Sequence, residues 1–190
     1  MKKICPGMIC GAVAALLYSA VILTGCSYTA MPKNVPVITG SETMSLSGVS
    51  VVVTNAEKDS TEYKIHTNGK DDSGFRANRE AWSKKLVEAL AKELARRGAQ
   101  VRSNAPIKLS LALPEITFIE SKTDYQFKVM ASVSSSKRWS KAYEGTAGTS
   151  RYKAASMAAE ADQLAGDALA EAVKAMLGDA EFLAQLPGKK

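Results

Sequence analysis

The chain has 190 residues, 46% of them hydrophobic and 6% aromatic, and its 25 Lys and Arg against 19 Asp and Glu give a net charge of +6. That is the length of one domain with a sizeable core. The modest basic balance describes a soluble surface rather than a nucleic-acid binder. A single histidine, His66, excludes any multi-histidine metal centre.

The first element is an export signal. Lys2 and Lys3 precede an apolar run from Ile9 to Leu23. At 15 residues the run falls short of the ~20 needed to span a bilayer. It ends in Leu23-Thr24-Gly25-Cys26, which resembles the lipobox of bacterial lipoproteins. By that resemblance the signal, residues 1–25, is cut off, and the sulfur and new amino group of Cys26 are acylated. Removing 25 of the 190 residues leaves 165, and losing Lys2 and Lys3 lowers the charge to +4. Cys5 and Cys10 leave with the signal, so the mature chain is expected to hold no free thiol and no disulfide. The covalent lipid is the one attached group expected, with no other cofactor and no metal. Two or more acyl chains anchor a protein stably. Ser27, rather than aspartate, follows the cysteine. Resemblance to sorted lipoproteins therefore favours the outer membrane, with the domain in the periplasm.

Residues 26–47 contain Pro32, Pro36, Gly40 and scattered Ser and Thr, and read as the lipidated cysteine and a flexible tether. A single α+β domain is expected over 48–187, with 188–190 as a tail. Val49 to Thr54 is dense in β-branched residues and predicts a strand buried on both faces at its centre. Ala56 to Gly74 is polar and turn-rich, with Tyr63 to Thr67 as a short edge strand or hairpin arm. Asn78 is placed to cap a helix running to about Arg97 and stopped by Gly98. Its Trp82, Leu86, Leu90 and Leu94 form one apolar stripe.

Three strands follow. Ile107, Leu109, Leu111 and Leu113 alternate with polar or small residues, and Pro114 predicts a bend or bulge before Ile116 and Phe118. Tyr125 to Val133 alternates again, and a weaker strand runs through Trp139 and Tyr143 to about Thr149. Short links make these an antiparallel meander. A long Ala-rich helix spans about Arg151 to Leu177, and Asp179 is placed to cap a last short helix carrying Phe182. The order β-α-β-β-β-α predicts a two-layer sandwich: a mixed, mostly antiparallel sheet of 4–5 strands with two main helices on one face. The other face, with Lys108, Ser110, Gln126, Lys128 and Ser132, is expected to be wet.

Catalytic patterns are sparse. His66 stands alone in a polar loop and reads as solvated. Ser134/Lys137 and Ser150/Lys153 fit S-x-x-K without the partner motifs of that chemistry. Glu57, Asp59, Asp71 and Asp72 lack EF-hand spacing and read as a solvated acidic loop. No phosphate-cradling glycine motif occurs. The chain is therefore not expected to be an enzyme. Lys137, Arg138 and Lys141, with Arg151 and Lys153, form a basic cluster around Trp139 and Tyr143. That cluster is the candidate contact for a protein partner or an anion, with a solvated, charge-blunted strand edge or core packing of the aromatics as the plainer alternatives.

The lipobox, Gly48-Val49-Ser50-Val51, the helix end Leu94-Ala95-Arg96-Arg97-Gly98, the Ile107-to-Leu113 and Tyr125 strands and the long final helix together resemble the YajG-like family of bacterial lipoproteins. The resemblance spans about Gly48 to Leu186 and implies no catalytic residues. Two functions stay open: a membrane-anchored accessory that binds an envelope protein partner, or a lipid- or glycan-binding auxiliary of an envelope transport system. The second would contact phospholipid or lipopolysaccharide.

Overall fold

The structure is a computed structural model that describes residues 27–39, 45–66, 74–150 and 157–186. The signal, Cys26, Asp71, Asp72, Arg151, Lys153 and the tail lie outside the described residues.

Five strands form the main sheet: β2 (Ser50–Asn55), β5 (Gln100–Val101), β6 (Ile107–Glu120), β7 (Asp124–Ser135) and β8 (Ser140–Ser150), in the order β5-β2-β6-β7-β8. β2 pairs in parallel with β6, as the crossover through helix α1 (Arg79–Arg96) requires. β6, β7 and β8 form the expected antiparallel meander. The register shifts between Ala112 and Glu115, at Pro114. A ring nitrogen without a proton cannot continue the ladder, so the strand bulges there. Before the bulge β6 is held by β2. Beyond it, Phe118 N donates to Ile65 O (2.7 Å), so a different segment takes over the edge.

Helices α1 and α2 (Met157–Gly178) cover the face carrying Leu109, Leu111, Phe127, Val129 and Val133, all fully buried. The result is the expected α+β architecture. Asn78 caps α1 by accepting from Ala81 N (2.9 Å). Gly98 stops the helix at φ 95°, a left-handed conformation in which a side chain would be strained. α2 approaches β8 closely because its contact residues are small: Ala165, Ala168 and Ala172 are fully buried, and Gly145 lies beneath them. Any Cβ at Gly145 would overlap the Ala168 carbonyl oxygen and lie 2.6 Å from Ala172 N.

A second sheet departs from the sequence reading. It consists of β1 (Ser27–Thr29), β4 (Gly74–Asn78) and β3 (Glu62–Lys64), in the order β1-β4-β3. Phe75 of β4 joins it to the main core, with its ring 4.2 Å from Phe118, which in turn stands 5.0 Å from Phe127. Tyr28 meets Phe75 edge-on at 5.8 Å.

The tether reading is corrected by this sheet. Ser27, Tyr28 and Thr29 pair in parallel with Gly74, Phe75 and Arg76. Ala30, Ile38 and Leu46 are buried in the core. Proline and hydroxyl content gave the segment the composition of a linker, but its few apolar residues are spaced to fill gaps beside α1. Where it is described, the segment is a strap on the domain.

Candidate functional site

The strap is fixed by polar groups drawn from both helices. Trp82 Nε1 donates to Ala30 O (2.8 Å), and Met31 N donates to Asp162 Oδ1 (3.0 Å). Asp162 is 2% exposed and also pairs with Lys33 at 2.6 Å. Farther along, Ile38 N donates to Glu93 Oε1 (3.1 Å), while Arg96 donates to Glu93 Oε2 (2.9 Å) and to Ile38 O (2.9 Å). Glu93 is 5% exposed. A buried carboxylate is costly unless hydrogen-bonded. These two carboxylates have the strap's own amides as partners, so the strap and the acids stabilise one another. At Gly166 on α2 the backbone of Asn34 comes so close that no Cβ would fit. Sequence reasoning missed Glu93 and Asp162. The available signal was a charged residue set among apolar helix positions, Glu93 between Leu90 and Leu94 and Asp162 between Ala161 and Leu164.

The aromatic-basic edge is rearranged. Tyr143 is buried, and Trp139 is partly buried against the core. Phe182 of α3 (Ala180–Leu183) stands over both, 6.3 Å from Trp139 and 6.4 Å from Tyr143. Tyr143 Oη donates to Asp179 Oδ2. Burial, followed by that bond to a carboxylate, pushes the phenol well above its ordinary pKa. The same bond, assisted by Lys141, holds the Asp179 carboxyl below its ordinary value. Lys141 lies 3.0 Å from Asp179 and 3.1 Å from Glu181. Lys137 and Arg138 are exposed in the β7–β8 turn, where Arg138 takes a positive φ of 61°. The structure thus separates the cluster. Trp139, Tyr143 and Lys141 hold α3 in place, while Lys137 and Arg138 face solvent.

His66 is also placed differently from expectation. Its side chain is 11% exposed, its ring meets Phe118 edge-on at 5.4 Å, and Nε2 lies 3.2 Å from a Glu120 oxygen. It joins the two sheets rather than sitting in solvent. Among the acidic-loop residues, Asp59 accepts from Thr61 N (2.9 Å), a turn interaction that lowers its pKa. Among the described residues no group of three His, Cys, Asp or Glu side chains is placed to hold a metal ion. No helix there is long and apolar enough to cross a membrane.

Two surfaces remain. The first is the sheet face away from the helices. Toward the β7–β8 turn its cross-strand pairs are small, Ser110↔Ser134, Ala112↔Ser132, Ser132↔Ala142 and Ser134↔Ser140, whereas beyond them Glu115↔Met130 and Thr117↔Lys128 are large. The Lys128–Glu144 ion pair at 2.9 Å lies across it toward one end. The second is an open depression of about 450 Å³, lined by Tyr125, Gln126, Asp124, Ser121, Thr149 and Ser150 among others.

Comparison with known proteins locates this arrangement by fold alone. Neither a scan against protein-family models nor a search of curated proteins finds a match. Among solved structures, protein XCC0632 from Xanthomonas campestris, of the DUF330 family, is similar over 81% of this chain and 97% of its own, with TM-score 0.50 and 11% identity. The likeness is one of fold. A minor lipoprotein from Acinetobacter baumannii matches over 75% of this chain and 97% of its own, with TM-score 0.37 and 12% identity. A PelC dodecamer from Paraburkholderia phytofirmans matches over 77% and 92%, with TM-score 0.27 and 15% identity.

Proposed function

We propose that this chain is a lipid-anchored, non-enzymatic protein of the bacterial envelope, related to the YajG-like lipoproteins, whose domain binds a protein partner as an accessory of an envelope machine. The lipobox ending at Cys26 supports the anchor. Ser27 after it supports the outer membrane, with the domain facing the periplasm. The acyl group on Cys26 is the one attached group in this reading, and nucleic acid has no part in it.

The observation that carries the partner reading is the outer sheet face. Small hydroxyl and methyl side chains across β6, β7 and β8 leave the part of that face toward the β7–β8 turn flat and polar. Such a surface offers no enclosed site for a small molecule but matches the extent and polarity of a protein–protein contact. Ser132 lies near its centre, paired with Ala112 on one side and Ala142 on the other. Lipidated protein is purified from its own membranes in gentle detergent, and co-purifying proteins are identified and quantified. A stoichiometric partner recovered with the unaltered chain and lost with Ser132→Arg, at unchanged thermal stability, is the expected outcome. Equal recovery with both chains would remove the sheet face as the contact.

The open depression favours a second reading, the lipid- or glycan-binding auxiliary. Its lining combines hydroxyl, amide and carboxylate groups with the apolar surface of Ile119 and Tyr125, a mixture that suits a sugar ring or a lipid head group. A specific lipid or lipopolysaccharide recovered in place of a protein, and lost with Gln126→Ala, would promote that reading.

A further inference from the structure

We propose that one end of the domain is seated directly on the membrane surface, because the docked strap leaves the lipid anchor no slack. This rests on the lipidation of Cys26 in the reading above. The chain points at that end are close together. Ser27 pairs with Gly74, and the His66 ring packs on Gly74 and reaches Glu120. Glu120 pairs with Tyr125, and Asp124 with Ser150. The start of β1, the turn between β6 and β7 and the end of β8 therefore share one end. Cys26 precedes Ser27 by a single peptide unit, about 3.8 Å between Cα atoms. An acyl chain on Cys26 must enter the bilayer beside these residues.

A free strap would behave quite differently. The 20 residues from Ser27 to Leu46 could extend by up to roughly 66 Å, which would let the domain tumble above the membrane. Freeing them would leave the buried Asp162 and Glu93 without the amides of Met31 and Ile38, and would expose Ala30 and Ile38. The docked state is therefore the stable one. The seated end presents Ser27, Ser121, Lys122, Thr123, Asp124 and Ser150, all exposed or partly so. Among the described residues the charges at this end are Lys122, Asp124 and Glu120, the last facing His66, and hydroxyl groups make up most of the rest of the surface offered to the head groups.

The far end follows from strand length. β7 runs 12 residues from Asp124 to Ser135, about 36 Å at ~3.3 Å per residue. Lys137 and Arg138 sit just beyond it, more than four times the ~8 Å Debye length at physiological salt. They do not feel the phosphates of the leaflet that holds the anchor. Their exposed charges are presented outward, away from that membrane.

The test uses the full lipidated chain with a fluorophore attached through Lys122→Cys or Lys137→Cys, in phosphatidylethanolamine–phosphatidylglycerol vesicles carrying a head-group nitroxide. Quenching at position 122 is expected to exceed that at 137 by at least about threefold, given a separation of about 36 Å. Inserting about twenty Gly and Ser residues between Cys26 and Ser27 gives the anchor slack while leaving the docked strap unchanged, and is expected to erase the difference. Equal quenching at both positions in a chain whose acyl mass is intact would overturn the proposal, as would a difference that survives the insertion. Protein recovered soluble and without acyl mass would overturn the anchored reading, and this proposal with it.

Discussion

At the scale of single residues, two contacts set how closely the layers approach. Gly145 lets α2 lie on β8, and a methyl group there meets backbone atoms of Ala168 and Ala172 that cannot rotate away. Gly145→Ala is therefore expected to destabilise the fold by at least about 2 kcal/mol, in the range for overpacked cores, measured by urea unfolding. A change within a few tenths of a kcal/mol would contradict the close packing. The Tyr143–Asp179–Lys141 group makes a prediction with a definite sign. The Asp179 carboxyl has a folded pKa below its unfolded value of about 3.9. Its contribution to stability is therefore present above that value and is lost as pH falls through the folded one. The stability gap between the unaltered chain and Asp179→Asn should be constant from pH 7 to 5 and close below about pH 4. A gap that does not narrow at all as pH falls from 5 into the acid range would mean that the carboxylate is not what holds α3. Trp139→Ala acts at the same place and is expected to cost stability, because its ring packs against Phe182.

Among the secondary elements, the strap is the part whose role changes most. Deleting residues 27–38 from a tether would leave stability unchanged. Here the deletion removes the hydrogen bonds to Trp82, Asp162 and Glu93 and the buried side chains of Ala30 and Ile38. A loss of about 3–5 kcal/mol is expected in urea unfolding, from ~1 kcal/mol per bond and ~2 kcal/mol for a buried Ile. An unchanged midpoint would restore the tether. The difference also marks where sequence reading succeeds. Elements with a strong internal period were legible: α1 from its four-residue Leu stripe, β6 and β7 from strict alternation, and the bulge from Pro114. The caps at Asn78 and Asp179 were legible because a short polar side chain before an apolar run has one good use. β1, β4 and the strap were not, since each is three to five residues or irregular and is stabilised by partners distant in sequence. The aromatic-basic edge was misread for a related reason. Trp139 and Tyr143 stand among charges in sequence, but Phe182, some forty residues later, covers them in space.

For the whole molecule, the fold is a sheet with one face covered by helices and the other left open, and in the proposed reading it stands on the end from which its anchor emerges. The order of the chain produces this orientation. The strap follows α1 from Trp82 to Arg96 and delivers the chain to β2, so a lipid on Cys26 would be held at the end opposite the β7–β8 turn. In that reading the flat face lies along the membrane normal, open to a neighbour in the periplasm, and Lys137 and Arg138 mark the outer tip. All of this depends on Cys26. The most direct measurement is the intact mass of the protein extracted from its own membranes. The account predicts a chain of 165 residues beginning at Cys26 and carrying the added mass of a diacylglyceryl group and an N-terminal acyl chain. A soluble chain with no added lipid mass, or one that retains its first 25 residues, would contradict it.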